Sequence, residues 1–294
     1  MKVAILGNGA IGNLLVLKCY QIKQDVGVFM RSQQHFTLTA TDIGHQAHQI
    51  NIDSLARASL SEFNLLIIPV KAYQVVNALK QLQTDLTPVQ TIVLLHNGMG
   101  VIESAKALLP DNPIIAATTS HAAYKPDAQS VTETGLGVCH LGYLQHPGAI
   151  DSEQIHNILN RLLGPCTWHE KIEQALWDKL AINAAINPLT AIHRVNNGQL
   201  TELKYRADIE SICAETVSVM TASGFHADKS ELVEKVLSVA NATATNYSSM
   251  YQDIAHHRLS EIAFINGYIC QEAQKQGLDV PFNTELVNKI NALA

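Results

Sequence analysis

The sequence predicts an α/β fold: an N-terminal doubly wound sheet followed by an all-α C-terminal domain. Two patterns carry this. In the first part, short apolar runs alternate with helical stretches, as in a parallel sheet covered on both faces. After about Ile172 the strand pattern stops and helical periodicity runs to the end. A length of 294 residues is comfortable for two domains. The boundary is expected near residue 168, giving domains of 1–167 and 168–294.

The elements follow in order. Val3–Leu6 reads as a strand, then a glycine turn and a helix from Ile11 to Ile22. Val26–Met30 is a second strand. Leu65–Val70 is a buried strand followed by a helix over Gln74–Gln83. Thr91–Leu95 and Ile114–Thr118 are further strands. Val131–Thr134 and Gly137–Leu141 flank Gly135 and read as an antiparallel pair closing the sheet. Ser152–Leu163 is an amphipathic helix, apolar at Ile155, Ile158, Leu159, Leu162 and Leu163, and Gly164-Pro165 breaks it. Cys166–His169 is a last strand. Helices are expected over about 172–187, 205–223, 229–245 and 261–276, with a turn or two from Thr284.

Composition narrows the function classes. Apolar residues make up 47% and charged residues 16%, a balance that favours a packed core over disorder. The net charge is -6 with no Lys/Arg-rich run, so no nucleic-acid partner is expected. Five cysteines, far apart and without C-x-x-C, argue against a disulfide scaffold and a cysteine zinc site. They fit a reducing compartment. No H-E-x-x-H or comparable histidine pair occurs, so no metal is assigned. Strand-like residues begin at Lys2 and no long uncharged apolar run occurs, so we expect no leader, no membrane span and a cytoplasmic protein.

The strongest local motif is Gly7-Asn8-Gly9-Ala10-Ile11-Gly12, placed after a strand and opening a helix. That is the context of a dinucleotide fingerprint and makes the sheet Rossmann-type. The first glycine permits the tight turn, the second lets backbone amides approach a pyrophosphate, and the third permits close packing. The helix N-terminus adds partial positive charge. The other reading is a glycine turn without a ligand. At the end of the second strand, where an NAD enzyme places a carboxylate about 20 residues on, the sequence reads Phe29-Met30-Arg31-Ser32. Arg31 can pair with a 2′-phosphate, which points to NADPH over NADH; otherwise it is a solvated strand-end arginine.

Lys71 and Asn97 each follow a strand, where ligands lie in open α/β sheets. Asn97-Gly98 could equally be only a turn. His121-Ala122-Ala123 follows another strand, and its backbone could touch cofactor or substrate. In the helical part, Lys179, Asn183 and Asn187 recur every fourth residue and share one helix face among apolar neighbours. Burying such groups without partners is costly, which favours a site; the alternative is an exposed stripe with an asparagine ending the helix before Pro188. Asn196-Asn197-Gly198 is a turn that could present an amide. Residues 244–253 read as a polar stretch between helices. Glu261 opens the last long helix, where a carboxylate also suits the dipole.

Taken together these phrases resemble the ketopantoate reductase (2-dehydropantoate 2-reductase) family over nearly the whole chain. The resemblance rests on the hexad, Lys71-Ala, His96-Asn-Gly-Met-Gly100, Thr118–Ala123, Trp177–Ala191, Asn197-Gly, Ser248-Ser-Met and Glu261-Ile-x-x-Ile-Asn-Gly267. It implies reduction of ketopantoate by NADPH to (R)-pantoate, on the route to pantothenate and coenzyme A. It implies Lys179 as general acid, with Asn97, Asn183, Asn187, Asn197 and Ser249 on the substrate. It also implies that Gly7, Asn8, Gly9, Ala10, Ile11, Gly12, Arg31, Lys71, Asn97, Ala123 and Glu261 border the cofactor. The expected partner is a small keto acid, for a monomer or homodimer. Two other readings stay open: a related NADP-dependent dehydrogenase of another small keto or hydroxy acid, and a non-catalytic NADPH-binding sensor.

Overall fold

The computed structural model describes residues 1–31, 35–146 and 152–293. Its strands are β1 (Val3–Leu6), β2 (Val26–Phe29), β3 (His35–Thr41), β4 (Ala47–Asp53), β5 (Leu65–Ile68), β6 (Thr91–Leu95), β7 (Ile114–Thr119), β8 (Ala122–Tyr124), β9 (Ser130–Gly135), β10 (Cys139–Gln145) and β11 (Cys166–Trp168). Its α-helices are α1 (Ala10–Gln21), α2 (Ala72–Leu82), α3 (Ile102–Leu108), α4 (Ser152–Leu163), α5 (Glu173–His193), α6 (Arg206–Ala222), α7 (Lys229–Ala242), α8 (Ser249–Ala255), α9 (Asn266–Gln276) and α10 (Pro281–Leu293). Chain packing forms two compact units: Met1–His96 with Val101–Ile172, and Asn97–Gly100 with Glu173–Ala294.

The first unit is the expected Rossmann-type α/β sheet. Seven strands lie in the order β11-β10-β7-β6-β5-β1-β2. From β7 to β2 all neighbours are parallel, and β10 pairs antiparallel with β7. β5, β6 and β7 are buried at every position, which is why they read as continuous apolar runs. α4 buries all five of the apolar residues read from its sequence. The chain order reverses between β1 and β5, so the ends of these two adjacent strands form the topological switch point where α/β sheets hold ligands.

A second, four-stranded sheet, β4-β3-β9-β8, corrects the expectation for this unit. Val131–Thr134 and Gly137–Leu141 do not pair with each other. β9 pairs with β3 and β8, whereas β10 joins the large sheet. The hairpin β3–β4 has no counterpart among the expected strands. Its burial alternates from His35 to Ala40, a period-two pattern carried by Phe36, Leu38 and Ala40 among threonines. The two sheets share one apolar core with α1 and α4. A buried ion pair crosses that core: Lys18 Nζ of α1 lies 2.6 and 2.7 Å from the two carboxylate oxygens of Glu133 on β9. The Ile43 amide also donates to Glu133, at 3.2 Å.

The second unit is helical throughout its described residues, as expected, but several boundaries move. α5 does not stop before Pro188; it continues to His193. Proline lacks the amide that would bond the carbonyl four residues back. That carbonyl, of Ala184, instead accepts from Asn266 Nδ2 at 3.0 Å. Asn266 is fully buried and also donates to Asn283 Oδ1 of α10 at 3.0 Å. α10 is longer than the turn or two expected, and its N-terminus is capped from α6: Glu215 accepts from the amides of Phe282 and Asn283. The polar stretch after Ala244 contains α8, capped by Ser248, whose hydroxyl accepts from the Tyr251 amide at 3.0 Å.

Candidate active site

In the second unit, α5 places Lys179, Asn183 and Asn187 on successive turns. The Lys179 ammonium donates to Asn97 Oδ1 at 2.8 Å. The Asn97 amide nitrogen donates onward to Glu261 Oε2 at 3.4 Å. Three residues from distant parts of the chain thus form one chain of polar contacts, ending on a carboxylate that is 3% exposed. The residues 97–100 are built to reach it. Gly98 has φ +82°, and a Cβ there would press on the carbonyl and side chain of Phe264. The Met99 amide donates to Phe264 O at 2.8 Å, and the Met99 side chain is buried in the helical core with Trp177. Asn97-Gly98 is therefore more than a turn: it carries an amide onto the lysine.

Glu261 does not open the last long helix. It precedes a short 3-10 turn, Ile262–Phe264, and α9 begins only at Asn266. Its role near a helix dipole falls away, and its contact with Asn97 takes its place. Asn183 is half-buried and Asn187 is buried, and neither side-chain amide has a hydrogen-bond partner among the described residues. These are donors and acceptors that a small polar ligand would satisfy. Asn197 donates from Nδ2 to Thr243 Oγ1 at 2.9 Å, while its buried Oδ1 has no partner among the described residues. Ser249 is exposed at the first turn of α8, and its neighbour Ser248 is the buried one, 2.7 Å from the Thr190 hydroxyl.

The first unit carries the other candidates. Gly7 has φ +103°, a conformation an L side chain rarely adopts, and a Cβ there would lie 3.1 Å from Val70. A Cβ on Gly12 would collide with the Gly7 carbonyl oxygen, so this glycine lets the turn close on itself. Gly9 caps α1 without a side-chain acceptor, and no acidic residue occupies the first turn of the helix. The amides there are uncommitted and the site is positive, which fits a dinucleotide pyrophosphate. Arg31 is exposed beyond β2 and makes no ion pair with a described residue, so its guanidinium can accept a 2′-phosphate; Ser32 lies outside the described residues. Lys71 precedes α2 at the switch point, its amide donating to Gln74 Oε1 at 3.3 Å. Ala123 lies in β8 beside a bulge opposite β9. The ring of His121 is engaged in packing, 3.0 Å from Leu163 O.

Sequence reasoning missed three polar residues. Asn266 stands in the Glu261–Gly267 phrase, but its task depends on the proline in α5. Glu215 gives no local signal, because it caps another helix. Lys125 donates to Asn8 O at 2.6 Å from a segment 117 residues on. No group of three or more His, Cys, Asp or Glu among the described residues is arranged to hold a metal ion.

Comparison with known proteins fits this layout. The family described as Ketopantoate reductase PanE/ApbA matches residues 3–146, and its C-terminal counterpart matches residues 171–294. A 2-dehydropantoate 2-reductase of Vibrio cholerae serotype O1 is 37% identical, covering 100% of this chain and 98% of that protein. One from Escherichia coli O157:H7 is 34% identical over 99% of this chain and 94% of its own. A Bacillus subtilis structure described as "Probable 2-dehydropantoate 2-reductase panE" superposes with a TM-score of 0.78 at 27% identity, covering 100% of both chains.

Proposed function

The chain belongs to the ketopantoate reductase (PanE/ApbA) family, and on that premise we propose that it reduces 2-dehydropantoate to (R)-pantoate with NADPH, using Lys179 as general acid. The observation carrying the site assignment is the 2.8 Å contact of the Lys179 ammonium with Asn97, itself backed by buried Glu261.

Gly7, whose amide donates to Phe29 O at 2.8 Å, shapes the turn; Asn8, Gly9, Ala10, Ile11 and Gly12 hold the dinucleotide, and Arg31 takes its 2′-phosphate. Lys71, Asn97, Ala123 and Glu261 border it. Bound there, NADPH is the reductant that delivers two electrons and one hydrogen to the keto carbon. The protein's own residues do the rest. Asn183 and Asn187 offer their amides to the substrate's carboxylate and hydroxyl. Asn197, whose Oδ1 has no partner among the described residues, and Ser249 complete the substrate's polar contacts. As negative charge grows on the keto oxygen, the Lys179 ammonium stabilises it and gives up a proton to it. Asn97 accepts one of that ammonium's hydrogen bonds and so orients it. The chain acts as a cytoplasmic enzyme, monomeric or homodimeric. Among the described residues no helix is long and apolar enough to cross a membrane.

The test is NADPH oxidation with 2-dehydropantoate, wild type beside Lys179→Ala. We expect kcat to fall by about 10²–10⁴-fold, the usual contribution of a general acid, with NADPH affinity little changed. A near-normal kcat removes Lys179 from this role. Pyruvate should be reduced far less well than 2-dehydropantoate; equal rates would favour a dehydrogenase of another small keto acid.

A further inference from the structure

The glycine turn has a feature that the family phrases do not include. Lys125, just past β8, extends its ammonium to the carbonyl of Asn8, inside the turn itself, at 2.6 Å. The side chain is half-buried, and it forms no ion pair with a described residue. Burial pushes this amine below the usual lysine range, with Asp127 opposing only part of the effect. A cation is thus held partly out of water, with one neutral carbonyl as its hydrogen-bond acceptor among the described residues, which leaves two of its three N–H donors uncommitted there.

That arrangement is costly unless an anion completes it. The same turn presents uncommitted amides at the start of α1. A helix N-terminus carries only about half a positive charge, against a doubly negative pyrophosphate. We infer that Lys125 supplies the full cation for the dinucleotide's pyrophosphate, held at the glycine turn by the Asn8 carbonyl. The inference rests on the dinucleotide reading above and adds a residue to it. Its role differs from that of Arg31, since the pyrophosphate is common to NADPH and NADH and the 2′-phosphate is not.

The experiment is titration of the full-length protein with NADPH and, separately, with NADH, following dinucleotide fluorescence in the absence of keto acid. Wild type is compared with Lys125→Met, Lys125→Gln and Lys125→Arg, and adenosine 2′-monophosphate serves as a probe lacking the pyrophosphate. A charge-assisted contact of this kind is worth about 10- to 100-fold in affinity. We expect Lys125→Met and Lys125→Gln to weaken NADPH and NADH by the same factor and to leave adenosine 2′-monophosphate unchanged. Raising the salt should weaken wild type more steeply than either variant, and Lys125→Arg should restore binding. Full affinity in Lys125→Gln, which keeps a hydrogen bond to Asn8 but no charge, overturns the inference. So does a loss confined to NADPH. A wild type that binds neither dinucleotide overturns the underlying reading as well, whereas unaltered binding by Lys125→Met overturns only this one.

Discussion

Lys179 is the proposed general acid, and its spacing from Asn183 and Asn187 is only half of what defines its place. The helix period places the three on one face, and that much is legible in the sequence. The partner that holds its ammonium, Asn97, comes from 82 residues away, and Glu261 lies 164 residues beyond Asn97. No local pattern predicts such a pairing. Arg31 is the opposite case. Its position at the end of β2 makes its proposed role readable by itself: a guanidinium where an NAD enzyme has a carboxylate. Replacing it tests that reading. Arg31→Asp should raise KM for NADPH about 10- to 100-fold, because a charge-assisted contact is lost and a repulsion gained. KM for NADH should hold or improve. Steady-state kinetics with both cofactors decide the matter, and a wild type that uses the two equally well would already refute the argument.

Helix α5 shows what an element needs beyond its own period. Its sequence argues for a stop at Pro188, because a proline inside a helix leaves a carbonyl without a donor. The helix continues because Asn266 supplies that donor from outside it. Asn266→Ala should therefore strand the Ala184 carbonyl in the core and destabilise the protein by about 1–3 kcal/mol in urea unfolding. Pro188→Ala returns the missing amide. In the background of Asn266→Ala it should recover part of the loss, with a coupling of about 0.5–3 kcal/mol. Strictly additive effects would show that the two residues do not share this task. Strand partners show the same limitation. β9 and β10 are each legible as strands flanking Gly135, but that placement says nothing of which sheet a strand joins. Here they separate, β9 to β3 and β10 to β7. α8 was obscured by its polar composition: Met250 and Asp253 are buried, while Ser249 and Ala255 are exposed.

For the molecule as a whole, the apolar clusters account for the bulk of stability, and a few buried charges decide which arrangement of elements is kept. Lys18 and Glu133 are the clearest instance, with side-chain exposures of 15% and 0%. Breaking such a pair leaves a buried charge uncompensated. Glu133→Ala should cost about 3–5 kcal/mol in urea unfolding, and Lys18→Met added to it should recover part of that cost. A loss within about 0.5 kcal/mol, as for an ordinary surface substitution, would mean that the pair does not fasten α1 to the second sheet. No two of the five cysteines are joined by a disulfide. Cys139 and Cys166 nevertheless stand opposite each other across β10 and β11. Burial drives the thiols of Cys19 and Cys213 up to about 12, which keeps them protonated and inert at neutral pH.

Local sequence determined the fold class, the glycine turn and the lysine–asparagine face. Each depends on residues a few positions apart, whose geometry follows from a strand, a turn or a helix period. Tertiary structure alone decided that Asn97 meets Lys179, that Asn266 carries α5 through its proline, that the strands after β8 divide between two sheets, and that Lys125 reaches the glycine turn. Those outcomes depend on which distant groups are desolvated together. A buried polar atom must find its partner wherever the packed chain brings one, whatever the distance along the sequence.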